Sequence, residues 1–145
     1  MKYTVYNTTN GQILSQVECD SSSIKLIVDN WLGVKTVSYI EGTYSSIEYV
    51  ISNGQPVKLP ERPSPYYFWD FGTNAWVLNV AMLESDIAQK RDTLLSQSDW
   101  LVIRQSDSGV VMPEDWKTYR QALRDVTNQS GYPTNVIWPT APTTT

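Results

Sequence analysis

Fifteen carboxylates, eleven basic side chains, one cysteine and no histidine are the reactive inventory of this 145-residue chain. Without histidine there is no Ser-His-Asp or Cys-His relay and no imidazole-bound metal. A lone Cys19 can form neither an intrachain disulfide nor a zinc site. It reads as an inert, half-buried side chain in a reducing compartment. Acid–base hydrolysis by two carboxylates stays open in composition. It needs two acids at a fixed separation in a cleft, and here the acids are scattered singly. The chemistry on offer is therefore recognition, with no cofactor and no metal expected.

Two groups of side chains suit recognition. Six Trp and nine Tyr are many for this length, and aromatic rings bury large areas while keeping a polar edge. Tyr66, Tyr67, Trp69 and Trp76 cluster in one stretch and could form a platform for a sugar or a receptor. The second group lies in DWKTYRQALRDV, residues 115–126. There Trp116, Tyr119, Leu123 and Val126 make an apolar helix face, and Lys117, Arg120 and Arg124 make a basic stripe on its flank. Arginine pairs carboxylates bidentately, stacks on rings and is enriched at interface centres. The stripe is a candidate contact surface, its arginines turned outward or against an internal acid. A formal charge of −4 argues against a nucleic-acid binder working through a global basic field. No apolar run approaches a membrane span, and MKYTVYNTTNG has no apolar signal core.

Stepping along the chain, the spacing predicts an α+β fold. Antiparallel hairpins fill residues 3–79. Asn10-Gly11 and Asn53-Gly54 turn the first two, the latter with Ile47, Tyr49 and Ile51 on one face. Between them, Ser21–Ser23 can cap a short helix over 24–33, stopped at Gly33, and residues 34–42 read as a strand. Pro60, Pro63 and Pro65 demand an extended connector. It leads into a hairpin turned at Gly72–Asn74, across which Trp69 can stack on Trp76. From Val80 the period becomes helical. Leu83, Ile87 and Leu94 share a stripe over 80–97, with Arg91 inside it, either snorkelling or meeting an acid. Residues 96–109 read as a short strand and a loop. Pro113, Glu114 and Asp115 then open a second helix to about Asn128. The two helices are expected to bury their stripes against each other. Gly131 ends the helix, and Pro133 and Pro139 hold an extended arm with Trp138 as its staple. The expected layout is a β region over 1–60, a Pro-rich connector and hairpin over 61–79, a two-helix module with its Pro/Trp arm over 80–139, and a Thr-rich tail over 140–145.

The C-terminal string carries a likeness. Lys90, Arg91, Leu94, Leu95, Ser98, Asp99 and Trp100 fit a KR-x-x-LL-x-x-SDW pattern. Trp116 and Tyr119 to Asp125 fit W-x-x-YRQALRD. Gly131, Tyr132, Pro133, Trp138 and Pro139 fit G-aromatic-P followed by WP. In order and spacing this stretch resembles the tail assembly chaperone and tail fibre assembly proteins of tailed bacteriophages. LPERPSPYYFWDFGTNAWV is similar, less closely, to a proline-rich strand-turn-strand unit upstream in such proteins. One departure is QSDSGVV before Pro113, which lacks a longer charged lead-in to the second helix.

The resemblance implies a non-enzymatic tail protein, in the virion or in the host cytoplasm during assembly. Its partners would be tail, tail fibre or baseplate proteins, with self-association left open and neither nucleic acid nor membrane insertion involved. Arg91, Trp116, Lys117, Tyr119, Arg120, Arg124 and Trp138 are the candidate protein-contact residues. The alternative is a receptor- or carbohydrate-binding accessory module built on Tyr66, Tyr67, Trp69 and Trp76.

Overall fold

A computed structural model describes residues 1–32 and 36–143. The chain divides into two compact units, Met1–Leu78 and a second from Asn79 onward. The α+β class holds, with antiparallel strands first and helices after.

In the first unit, β1 (Lys2–Asn7) is the central strand of a three-stranded antiparallel sheet in the order β2-β1-β3, with β2 at Ile13–Glu18 and β3 at Val37–Glu41. Being central, β1 is buried on both faces, from Tyr3 to Tyr6. Tyr3 and Val5 point to one side, where Ile24 and Val28 of the short helix α1 (Ile24–Asp29) cover them. Tyr6 points to the other side and packs with Ile13 and Ile51. This is the period-two alternation of a strand with two apolar faces.

Ile51 belongs to the second hairpin, β4 (Tyr49–Ser52) with β5 (Gln55–Lys58). Its two loop residues, Asn53 and Gly54, both have positive φ, as the tight hairpin turn requires. The first hairpin turns through Gly11, also at positive φ. A side chain there would strike the Ile51 carbonyl at 2.2 Å, so glycine lets the two hairpins join through an Ile51 N–H bond to the Gly11 carbonyl. Two local expectations fail. Ser23 stands at the cap of α1, but its hydroxyl makes no capping bond. Ile47 lies in the turn before β4 and is largely exposed. Gly33 and the start of the strand expected at 34 lie outside the described residues.

The third hairpin, β6 (Tyr67–Asp70) with β7 (Ala75–Leu78), places Trp69 directly opposite Trp76. The connector before it has no regular structure, as its prolines require.

Among the described residues the second unit holds three α-helices: α2 (Val80–Ser96), α3 (Asp99–Ser108) and α4 (Glu114–Arg124). A 3-10 turn, Asp125–Asn128, continues α4. Helix α3 corrects the expected strand and loop, and the two-helix module is a three-helix one. The run Trp100-Leu101-Val102-Ile103 is apolar and partly β-branched, so composition favours a strand. Yet only Leu101 of the four is buried, which suits a helix touching its core along one line. Asp99 in the first turn complements the dipole, and Gly109 closes α3 in the left-handed conformation. The segment QSDSGVV is therefore mostly the last turn of α3.

Candidate protein-binding site

Helix α4 organises the second unit. Pro113 precedes its first turn, where its missing N–H costs nothing, and Glu114 and Asp115 follow. Trp116, Tyr119 and Leu123 then form a buried cluster with Leu101 and Met112, flanked by Leu94 and Leu95 of α2 and by Trp138. Trp116 and Tyr119 meet edge to face, ring centroids 5.6 Å apart. Helices α2 and α4 pack together, through Leu94 of the expected α2 stripe and through Leu95, while Leu83 and Ile87 of that stripe stand outside this cluster.

Arg120 does not lie on the solvent flank. It is buried, and its guanidinium donates to the Leu95 carbonyl at 2.8 Å, to the Ser98 hydroxyl, and to Asp99 Oδ1 at 2.9 Å. One planar fork thus reaches the end of α2 and the start of α3, a job for arginine rather than lysine. The Ser98 hydroxyl itself donates back to the Leu95 carbonyl. Of the two arrangements open in sequence, Arg120 takes the internal acid. The signal lay in the spacing: 116, 120 and 123 are i, i+4 and i+7, so Arg120 sits at the edge of the apolar stripe.

The remaining basic residues do face outward. Lys117 pairs with Glu114 at 2.9 Å. Arg124 is exposed, 3.4 Å from the Gln121 side-chain oxygen. Both line a concavity of ≈ 590 Å³ with Thr118, Gln121, Val102 and Met112 along it. Arg91 is half-buried and pairs with Asp92 at 2.7 Å, so it meets an acid. Nearby, burial raises the Tyr132 hydroxyl pKa, and the charge and hydrogen bond of Glu84 raise it further, while Arg91 opposes them.

The arm after Gly131 is fastened at two points. The Gln129 side-chain amide donates to the Ile137 carbonyl and accepts from the Ile137 N–H, both at 2.8 Å. Trp138 then lies against the cluster, with Lys90 Nζ 4.4 Å from its ring centroid. Sequence reasoning found Trp138 and missed Gln129, a common surface residue with no distinctive spacing. Gly131 is required sterically, since a Cβ would come within 2.3 Å of the Asn135 carbonyl.

In the first unit, Trp69 and Trp76 meet edge to face at 5.3 Å, not as a flat pair. Arg62 lies 5.9 Å from the Trp76 ring centroid and donates to the Tyr67 and Pro65 carbonyls, both at 2.7 Å. The Trp76 indole donates to the Pro60 carbonyl at 3.0 Å. All four proposed platform residues, Tyr66, Tyr67, Trp69 and Trp76, are half-buried. Among the described residues no helix is long and apolar enough to cross a membrane.

No curated protein and no solved structure matches the chain. Residues 84–143, the region that holds Arg120 and the Trp138 arm in this chain, match the model of a family described as phage tail assembly chaperone protein, so it is through its C-terminal region that the chain is similar to that family.

Proposed function

We propose that this protein makes specific protein–protein contacts in the assembly or architecture of a phage tail, tail fibre or baseplate, without catalysis or a cofactor. The observation that carries the reading is the family match itself, which falls wholly within the second compact unit. Within that unit the candidate residues divide by burial. Trp116, Tyr119 and Arg120 build the module, and Lys117 and Arg124 in the concavity face a partner. Arg91 and Trp138 sit at its half-buried margin. The site of action is the host cytoplasm during assembly, the virion tail, or both.

Co-purification of the full chain with co-expressed tail, fibre and baseplate proteins tests this. The double variant Lys117→Glu/Arg124→Glu is expected to weaken capture at least about tenfold, as charge reversal at an interface does. Its helical circular dichroism should match the parent. Failure of the parent chain to capture any of these proteins would refute the proposal. Mass spectrometry of purified virions then separates a resident subunit from a factor that leaves.

The receptor- or carbohydrate-binding reading has less support. Sugar stacking needs an open ring face, and the Trp69–Trp76 pair is edge to face with Arg62 over one ring. Loss of cell adsorption by an otherwise normally assembled Trp69→Ala particle would revive it.

A further inference from the structure

Helix α3 leaves one face unused. Leu101 turns into the core and the Gln105 side chain accepts from the Met112 N–H, so positions 101 and 105 mark its inner side. Trp100, Ile103, Arg104 and Asp107 fall at i, i+3, i+4 and i+7, a single stripe on another side. Trp100 is 43% exposed and Ile103 66% exposed. Arg104 and Asp107 are exposed too, and among the described residues neither has an ion-pair partner. Within SDW, then, Ser98 and Asp99 are held by Arg120, while Trp100 keeps about two-fifths of its surface exposed.

We infer that this stripe is a self-docking surface, on which α3 of a second copy lies antiparallel. The charges choose the occupant and the direction. A stripe carrying one positive and one negative side chain, three residues apart, is complementary to itself only when reversed. A two-fold axis across the helix between residues 105 and 106 puts Arg104 of each copy opposite Asp107 of the other. A parallel pair would place Arg104 against Arg104 and Asp107 against Asp107. The contact is isologous and closes at two copies. Ten residues of helix bury less than a stable interface requires, so the association is weak and concentration-dependent. Val102, two residues from Trp100, belongs to the concavity with Lys117 and Arg124, so self-docking leaves that surface to the tail partner. Neither proposal depends on the other.

Sedimentation equilibrium of the full chain tests the inference. The mass is expected to rise with concentration from 16.5 kDa toward twice that value. Arg104→Asp should weaken association at least about tenfold, by setting like charges face to face. Trp100→Ala should weaken it as well, and Lys117→Glu/Arg124→Glu should leave it unchanged. The decisive variant is Arg104→Asp/Asp107→Arg, which reverses both charges at once and should restore the parent behaviour. A parent chain monomeric at about 300 μM overturns the inference. So does a double variant no better than Arg104→Asp, or a photo-crosslinker at position 103 that joins only to another tail protein.

Discussion

At the scale of the residue, a guanidinium at position 120 is tolerated inside the C-terminal unit because its donors are met. Removing it takes a donor from the Ser98 oxygen, whose hydroxyl keeps its bond to the Leu95 carbonyl, and empties the space of a side chain that is itself buried. Asp99, half exposed, regains water and suffers little. Arg120→Ala is therefore expected to destabilise the unit by about 2–3 kcal/mol, the cost of losing charge-assisted hydrogen bonds together with a buried side chain. Arg120→Lys should recover only part of this, since an ammonium cannot span two helix ends as a fork. Asp99→Asn should cost less than about 1 kcal/mol. Urea unfolding followed by tryptophan fluorescence measures all three. A residue that served only a partner would instead lose binding with an unchanged unfolding midpoint. The contrast with Lys117 and Arg124, three and four residues away and exposed, shows how one helix divides its basic side chains between holding the module and presenting it.

At the scale of the element, the β6–β7 hairpin is held at its turn by Asp70. Its carboxylate accepts from the Gly72 N–H at 2.9 Å and from the Thr73 hydroxyl at 2.8 Å, and these bonds lower its pKa below the ordinary carboxylate value. A lowered folded pKa means stabilisation that is complete above the unfolded value, about 3.9, and lost as pH falls through the folded one. The difference in melting temperature between parent and Asp70→Asn should thus be largest near neutrality and shrink below about pH 4. A difference independent of pH would show that the charge plays no part. The C-terminal arm offers a second case. Gln129→Ala removes both bonds to Ile137 and is expected to cost about 1–2 kcal/mol. It should also speed proteolysis between Gly131 and Trp138 and red-shift tryptophan emission as Trp138 loosens. Elements such as the 53–54 hairpin were legible because two consecutive positive-φ positions admit few residues other than Asn and Gly. The stripe of α4 was legible because four large apolar residues repeat at helical spacing. Helix α3 was not, because its apolar run lacks periodicity and three of the four residues point away from the core. The role of Arg120 was half legible: its type suggested pairing, but only tertiary contact with the Ser98–Asp99 step decides which acid it meets.

At the scale of the molecule, the two compact units differ in what holds them. The first relies on a sheet covered on both sides, the second on one cluster beneath α4. The family match covers residues 84–143 and stops short of every strand. A unit that carries the shared sequence, has its own core and closes its own arm onto that core through Gln129 and Trp138 should fold alone. Residues 79–145 expressed by themselves are expected to be helical, to unfold cooperatively and to be modestly stable, at about 3–6 kcal/mol, since so small a core leaves little surplus over chain entropy. Circular dichroism against urea measures this. A fragment without a cooperative transition would mean that the core of Leu101, Met112, Trp116, Tyr119 and Leu123 is insufficient, and that the β unit is needed for folding. If the fragment folds, it should capture the same tail protein as the full chain and lose it with Lys117→Glu/Arg124→Glu. Assembly function would then reside in the helical unit, leaving the β unit free to serve a separate contact. A folded fragment that captures nothing, where the full chain does, would instead place part of the docking surface on the strands.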